Sequence, residues 1–448
     1  MTEGRREAIF GYNQGKSNAY LYFYDTPKPM PTHPPIRLMH FADVHFGVEN
    51  YGRFDPATGL NSRLVDFRDA LNAAIDVALA AGVEIALFAG DAYKTRDPNQ
   101  TQQREFAACI GRLTQAGIPV VMLAGNHDIP NTKGRANSIE IFGALAAGRM
   151  FVLDTPNVIQ VTTSKGNTLQ VASMPYLIKS LVLSREESKD KGVQETTEMI
   201  VARYEAGINQ LAAKCDPNLP TALMGHFSVS NAKLSANQIG YLTNEPEVSM
   251  SALTQSPFDY VALGHIHRFQ DLNRGQQPPV VYSGSIERID FGERNEEKGF
   301  ALVDLVKGFT EVKHVEVKTR PFVEIEVDAT DAGEEPTEKI LLAIAKHDIR
   351  DAVVKASYQI RSEQLAHLRE NDLRAALQSA FMVVALHKEI KRDTDAVRSK
   401  LMTEALDPLQ ALATYCDTRD SLRGRKDEML LRAEPLLREL EAEETVGK

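Results

Sequence analysis

Five short apolar runs punctuate the first two thirds of the chain: Ile36–Ala42, Val83–Ala89, Ile118–Ala124, Thr221–Met224 and Tyr260–Leu263. Their length and continuous hydrophobicity predict buried strands. Between the first two, Leu64, Phe67, Leu71, Ala74 and Ala78 recur at helical spacing, and Gly82 is the expected stop. A second helix is expected on Phe106, Ile110 and Leu113, ended by Gly117. The polar stretch 184–196 predicts an exposed loop, followed by a helix carrying Ile200, Tyr204, Ile208 and Leu211. From residue 279 the pattern turns to hairpins, with strands at Val280–Ser283, Phe300–Val306 and Glu311–Val317.

This alternation delimits an α/β domain over 36–318. Residues 319–390 read as a smaller α/β unit, with strands at Phe322–Val327, Ala352–Ile360 and Phe381–Leu386 and a helix at Lys339–Lys346. The acidic stretch Asp328–Glu338 is expected as a surface loop. Residues 391–448 are charged and helical, carrying Leu401, Leu406, Leu409 and Leu412, then Leu430, Leu431, Leu436, Leu437 and Leu440. Residues 1–35 form an extension expected to be irregular. An aromatic run, Tyr20 to Tyr24, precedes prolines 27, 29, 31, 34 and 35. Met30 stands just before the first core strand and is a candidate translation start, which intact mass would test.

Composition narrows the class. A chain of 448 residues with 43% hydrophobic and 25% charged positions is an ordinary globular protein, long enough for two or three domains. No apolar run approaches membrane-helix length, and the N-terminus lacks a signal-peptide plan, so no membrane association is expected. Cys109, Cys215 and Cys416 stand far apart and read as buried thiols of a cytoplasmic protein. The net charge of −10 argues weakly against general nucleic-acid affinity, although metal ions or a local basic rim would reverse it where phosphate sits.

The chemistry lies where the apolar runs end. In order come Asp43-Val44-His45, Gly90-Asp91, Gly125-Asn126-His127-Asp128, Gly225-His226 and Gly264-His265-Ile266-His267. Carboxylate, imidazole and amide oxygen together suit a two-metal hydrolytic centre; the same ligands also suit Fe or Zn. Asp43 and His45, two apart, share a side if the extended conformation persists, and so can hold one metal. Asp91 has two oxygens and is the natural bridge; Asn126, His226, His265 and His267 complete the set. Such a pair of cations acidifies a bridging water and offsets phosphate charge during in-line displacement. His127, left over as a ligand, is placed to contact the phosphate or protonate the leaving oxygen. Asp128 either orients His127 or caps the following turn. His40 reads as a packed core residue. Any one motif alone signals no more than a tight glycine turn; the ordered set carries the reading.

The set resembles the calcineurin-like metallophosphoesterases over residues 36–318. Met174-Pro175-Tyr176, Tyr282-Ser283-Gly284-Ser285-Ile286-Glu287-Arg288, Asp290-Phe291-Gly292-Glu293 and Lys298-Gly299-Phe300 are similar to the SbcD-type DNA repair nucleases, and Arg320-Pro321-Phe322 resembles the start of their capping domain. That resemblance implies a four-layer α/β/β/α sandwich binding two Mn²⁺ ions, one held by Asp43, His45, Asp91 and His267, the other by Asp91, Asn126, His226 and His265. It makes His127 the catalytic histidine. It also implies DNA as substrate, a cytoplasmic, nucleoid-associated role, and an SbcC-type coiled-coil ATPase as partner of a homodimer within a heterotetramer. The leucines from 401 onward would dock on that partner or pack back on their own domain.

One departure is Lys94, where many relatives carry His or Asp; it leaves the balance of exonuclease and endonuclease action open. With Arg96, Lys133, Arg135 and Arg268 it forms a candidate DNA rim. Two rivals remain. A small-substrate phosphodiesterase or phosphomonoesterase would use the same centre but needs neither cap nor leucine-rich tail. A DNA-end-binding protein without turnover would not need the intact ligand set. A protein phosphatase fits less well, since Ala92-Tyr93-Lys94 follows Gly90-Asp91.

Overall fold

Alternate residues of the first strands face opposite cores, which is how one stretch of sequence supports two layers. Leu38, Ile85, Leu87, Val121 and Leu123 enter one apolar cluster, while Met39, Phe41, Ala86, Phe88, Val120 and Met122 enter another. The computed structural model describes residues 34–132, 134–145, 148–184, 191–242, 245–391, 408–417, 422 and 424–446, and the backbone of 8–9 and 22–23.

The strands are β1 (Ile36–Phe41), β2 (Ile85–Phe88), β3 (Val120–Leu123), β4 (Met150–Leu153), β5 (Asn157–Thr162), β6 (Thr168–Met174), β7 (Thr221–His226), β8 (Tyr260–Gly264), β9 (Gln270–Asp271), β10 (Val280–Tyr282), β11 (Gly299–Val306) and β12 (Phe309–Glu316). They form two six-stranded sheets, ordered β12-β11-β1-β2-β3-β4 and β9-β10-β8-β7-β6-β5. The pairs β1–β2, β2–β3, β3–β4, β6–β7, β7–β8 and β8–β10 are parallel.

Helices α1 (Ser62–Ala80) and α2 (Gln100–Gln115) cover the first sheet. Helix α3 (Val193–Lys214) covers the second, burying Ile200, Tyr204, Ile208 and Leu211. The inner faces meet through Leu38, Val121, Val171, Met224 and Ala262. These layers are thus the expected α/β/β/α sandwich. Gly82 and Gly117 do end α1 and α2, at φ of +73° and +82°. His40 lies buried between the sheets, 2.7 Å from the Tyr260 hydroxyl. All three cysteines are free and buried.

Some expectations need correction. Val280–Tyr282 is not a hairpin arm of the following strands: it lies parallel to β8, with Gln270–Asp271 antiparallel on its other side. Strands β4, β5 and β6 carry no sequence expectation, since β4 and β5 are half-exposed edge elements without clean alternation. Within the N-terminal extension, Ala8–Ile9 pairs antiparallel with Tyr22–Phe23. Met30 and residues 185–190 of the anticipated loop lie outside the described residues.

The chain divides into two units, Met1–Phe322 and Val323–Lys448. Residues up to Phe322 are held by the first unit. Arg320 ion-pairs with Asp66, and Phe322 packs its ring on Tyr51 and Phe291. In the second unit a three-stranded sheet, β13 (Phe322–Asp328), β14 (Val353–Arg361) and β15 (Met382–Lys391), packs with α4 (Pro336–Ile344) and α5 (Glu370–Ala376) around Ile325, Ile340, Ile344, Tyr358 and Leu373. Thus α4 begins inside the expected acidic loop. Two further helices, α6 (Pro408–Asp417) and α7 (Lys426–Val446), follow. Leu431 and Leu436 are exposed on α7, whereas Leu401 and Leu406 lie outside the described residues.

Candidate metal centre

Every candidate ligand sits at, or just beyond, the carboxyl end of a parallel strand, where open α/β sheets place their sites. Asp43 and His45 follow β1, Asp91 follows β2 and Asn126 follows β3; His226 ends β7, and His265 and His267 follow β8. The site therefore straddles the two sheets.

The extended conformation does not persist at Asp43 and His45. Their φ angles are +52° and +50°, and Asp91 (+61°) and His265 (+97°) are also left-handed. Such backbone is strained for residues with a side chain and clusters at functional sites. Here it is held by bonds between the loops: Asp43 N–H donates to Gly90 O at 2.9 Å, and His45 N–H to Asp91 O at 3.1 Å. Gly125 is required by close approach, since a Cβ there would run into Asp91 Oδ1 and the His226 ring.

The ring nitrogens sort by their partners. His226 Nδ1 donates to Ala89 O (2.7 Å), which leaves Nε2 facing Asn126 Oδ1 at 3.0 Å. His265 Nε2 donates to Glu245 Oε2 (2.6 Å), which leaves Nδ1 facing the same Asn126 oxygen at 3.1 Å. His267 Nδ1 donates to Glu293 Oε1 (2.8 Å), which leaves Nε2 facing His45 Nε2 at 3.1 Å. Two ring nitrogens thus face the Asn126 amide oxygen, and His45 and His267 face each other through Nε2, an arrangement that a cation would stabilise. A single Asp91 oxygen joins the groups: Oδ2 lies 3.7 Å from His45 Nε2 and 3.5 Å from His226 Nε2. Asp43, His45 and His267 can hold one ion, and Asp91 with His226 and Asp43, or with His45 and His127, can hold another. The donor set therefore fits divalent metals.

The electrostatics agree. Burial pushes the Asp43 carboxyl up and drives His45 well down. Burial also disfavours a charged His226, but the Asp91 carboxylate outweighs it and lifts the ring to about 9. The cluster thus demands positive charge beside Asp91.

His127 is half-buried. Its Nδ1 donates to Lys94 O at 2.8 Å and its N–H to Asp91 Oδ1 at 2.8 Å, while its ring stands perpendicular to His45 with centroids 5.1 Å apart. Asp128 does not orient it. That carboxylate accepts the N–H groups of Asp91 (2.8 Å), Ala92 (3.1 Å) and Gly125 (3.0 Å) and the Ser138 hydroxyl (3.0 Å). Asp128 therefore fixes the turn that presents Asp91, and the Lys94 carbonyl takes the role expected of it. Asp128→Ala would strand buried N–H groups and is expected to cost about 3 kcal/mol in chemical denaturation; an inactive variant of unchanged stability would restore a direct role.

Of the candidate rim, Lys94, Arg96, Arg135 and Arg268 are all exposed. Arg96 is turned back onto Ile129 O at 2.7 Å, Arg135 pairs with Asp97, and Lys133 lies outside the described residues. Glu245 and Glu293, which fix two histidines, have no role in the sequence reading. Their distance from the ligands in sequence hides them, although Glu293 lies within a motif noted above.

Candidate metal-binding side chains at the strand ends between two sheets of an α/β/β/α sandwich fit a metallophosphoesterase. The model of the calcineurin-like phosphoesterases matches residues 36–269, and the chain belongs to that family. It is similar to the DNA double-strand break repair protein Mre11 of Thermoplasma acidophilum, at 26% identity over 67% of this chain and 71% of that protein. The Mre11 of Haloferax volcanii is 25% identical over 88% and 74%. The SbcD component of the SbcCD nuclease of Escherichia coli K12 is 23% identical over 84% and 90%.

Proposed function

We propose that this chain is a metal-dependent DNA nuclease subunit that hydrolyses phosphodiesters with two divalent ions, Mn²⁺ before others. One observation carries the reading: His45 and His226 flank a single Asp91 oxygen, in a phosphoesterase similar along most of its length to proteins named for nuclease action and DNA break repair. Asp43, His45, Asp91 and His267 would hold one ion, and Asp91, Asn126, His226 and His265 the other. Bound there, the ions supply Lewis acidity toward phosphate and an acidified water.

The chain's own groups do the remaining work. Asp91 ties both halves of the site together and fixes the His127 backbone. His127, its Nδ1 occupied by the Lys94 carbonyl, turns Nε2 toward the cluster and carries the proton for the leaving oxygen. Lys94, Arg96, Arg268 and, where free of Asp97, Arg135 steer the strand by its phosphates, and Lys133 adds to them. The leucines exposed on α7 suit an SbcC-type coiled-coil ATPase, with this chain as a homodimer inside a heterotetramer acting on nucleoid DNA in the cytoplasm. Among the described residues no helix is long and apolar enough to cross a membrane.

The test is cleavage of linear duplex, hairpin and circular single-stranded DNA with Mn²⁺, Mg²⁺ or chelator. Mn²⁺-dependent cleavage is expected; hydrolysis of a small phosphodiester without any DNA cleavage would favour the small-substrate rival. Lys94→Ala keeps the carbonyl that holds His127, so it should weaken cleavage mainly through salt. The slope of log binding constant for DNA against log salt should flatten by about 0.7–0.9 for one lost phosphate contact. An unchanged slope would remove Lys94 from the DNA path.

A further inference from the structure

Behind His267 lies a buried charge that the chemistry above does not use. The Lys298 side chain is fully buried, 2.8 Å from Glu293 Oε2. Its three N–H groups donate to Ser285 Oγ (2.9 Å), Glu296 Oε2 (2.9 Å) and the His267 carbonyl oxygen (3.0 Å). An ammonium is tolerated out of water only inside such a cage. Glu293 is equally constrained. Its Oε1 accepts from His267 Nδ1 (2.8 Å) and Asn237 Nδ2 (3.1 Å), and its Oε2 from Ile289 N–H (3.0 Å). Lys298 thus grips His267 twice, at the backbone and, through Glu293, at the ring. None of the other ligand histidines is held this way. His226 leans on a backbone carbonyl, His265 on a partly exposed Glu245, and His45 Nδ1 has no hydrogen-bond partner among the described residues.

We infer that Lys298 is a positioning residue of the metal centre, locking Glu293 so that His267 presents Nε2 beside Asp43 and His45. The inference rests on the reading of the cluster as a metal centre. A carboxylate behind a ligating histidine fixes its tautomer and raises its basicity, and loss of such partners lowers metal affinity by roughly 10–100-fold.

The experiment titrates MnCl₂ by calorimetry into the full chain as wild type, Lys298→Met and the double variant Lys298→Met/Glu293→Gln. Melting temperatures without metal and ¹⁵N spectra of His267 are recorded for each. Lys298→Met alone strands the Glu293 charge and is expected to melt early; the double variant, neutral at both positions, is expected to recover most of that loss. Both should bind Mn²⁺ roughly 10–100-fold more weakly than wild type, and His267 should lose its fixed Nδ1–H tautomer. Wild-type affinity in either variant, or affinity that returns with melting temperature in the double variant, would overturn the inference. A wild-type chain that binds no Mn²⁺ would instead overturn the metal-centre reading.

Discussion

Asp91→Ala is expected to reduce DNA cleavage to the level seen with chelator, the largest effect of any single substitution in the site. The reason is geometric. Asp91 Oδ2 stands 3.7 Å from His45 Nε2 and 3.5 Å from His226 Nε2, and Oδ1 carries the His127 N–H at 2.8 Å. One truncation therefore removes a donor from both halves of the cluster and frees the loop bearing His127. Stability gives a second readout. Ions at a hundredfold excess over their dissociation constant stabilise the folded state by about 2.7 kcal/mol, which for a domain of this size moves the melting temperature by a few degrees. Wild type should show that rise with Mn²⁺ and lose it on chelation; the Asp91→Ala curves with and without Mn²⁺ should superimpose. Mn²⁺-dependent cleavage near the wild-type rate in this variant would mean that the remaining ligands suffice.

His127→Ala should separate binding from turnover. The side chain stands beside the cluster with Nδ1 committed to the Lys94 carbonyl, and a positioned proton carrier contributes roughly 10²–10⁴-fold in rate. A loss of that size with Mn²⁺ stoichiometry and affinity retained is the expected result. His127 also belongs to a trio with His45 and Asp91 that could itself hold an ion. A fall in affinity matching the fall in rate would make it a ligand instead, and wild-type turnover with metal bound would remove it from the chemistry.

The two outcomes draw on different parts of what the sequence discloses. The ligand motifs are legible because chemistry demands particular residue types where buried strands end, and apolar runs mark those ends. Helices α1, α2 and α3 are legible from spacing, and the first two from their glycine stops as well. Tautomers are not, because each depends on a partner remote in sequence: Glu293 lies 26 residues beyond His267, and Ala89 lies 137 before His226. The role of Asp128 is hidden because adjacency to His127 says nothing of side-chain direction, and its carboxylate turns into the Gly90–Asp91 loop. The sequence predicts the convergence of Asp43 and His45 by way of an extended strand, whereas left-handed backbone produces it. Edge strands β4 and β5 escape because half-exposed strands lose the hydrophobic run that marks a buried one.

That the site straddles two sheets has a consequence for the history of each molecule. His45 and His267 touch across 222 residues of chain. At synthesis rates of about 5–20 residues per second, the ribosome needs roughly ten to forty seconds to make that stretch. For most of that interval the nascent chain carries Asp43, His45 and, soon after, Asp91 without the histidines of the second sheet, of which His226 comes first and His265 and His267 last. On the proposed ligand set, a half-made chain lacks the full donor group for either ion, and cleavage is expected only once His267 has left the ribosome.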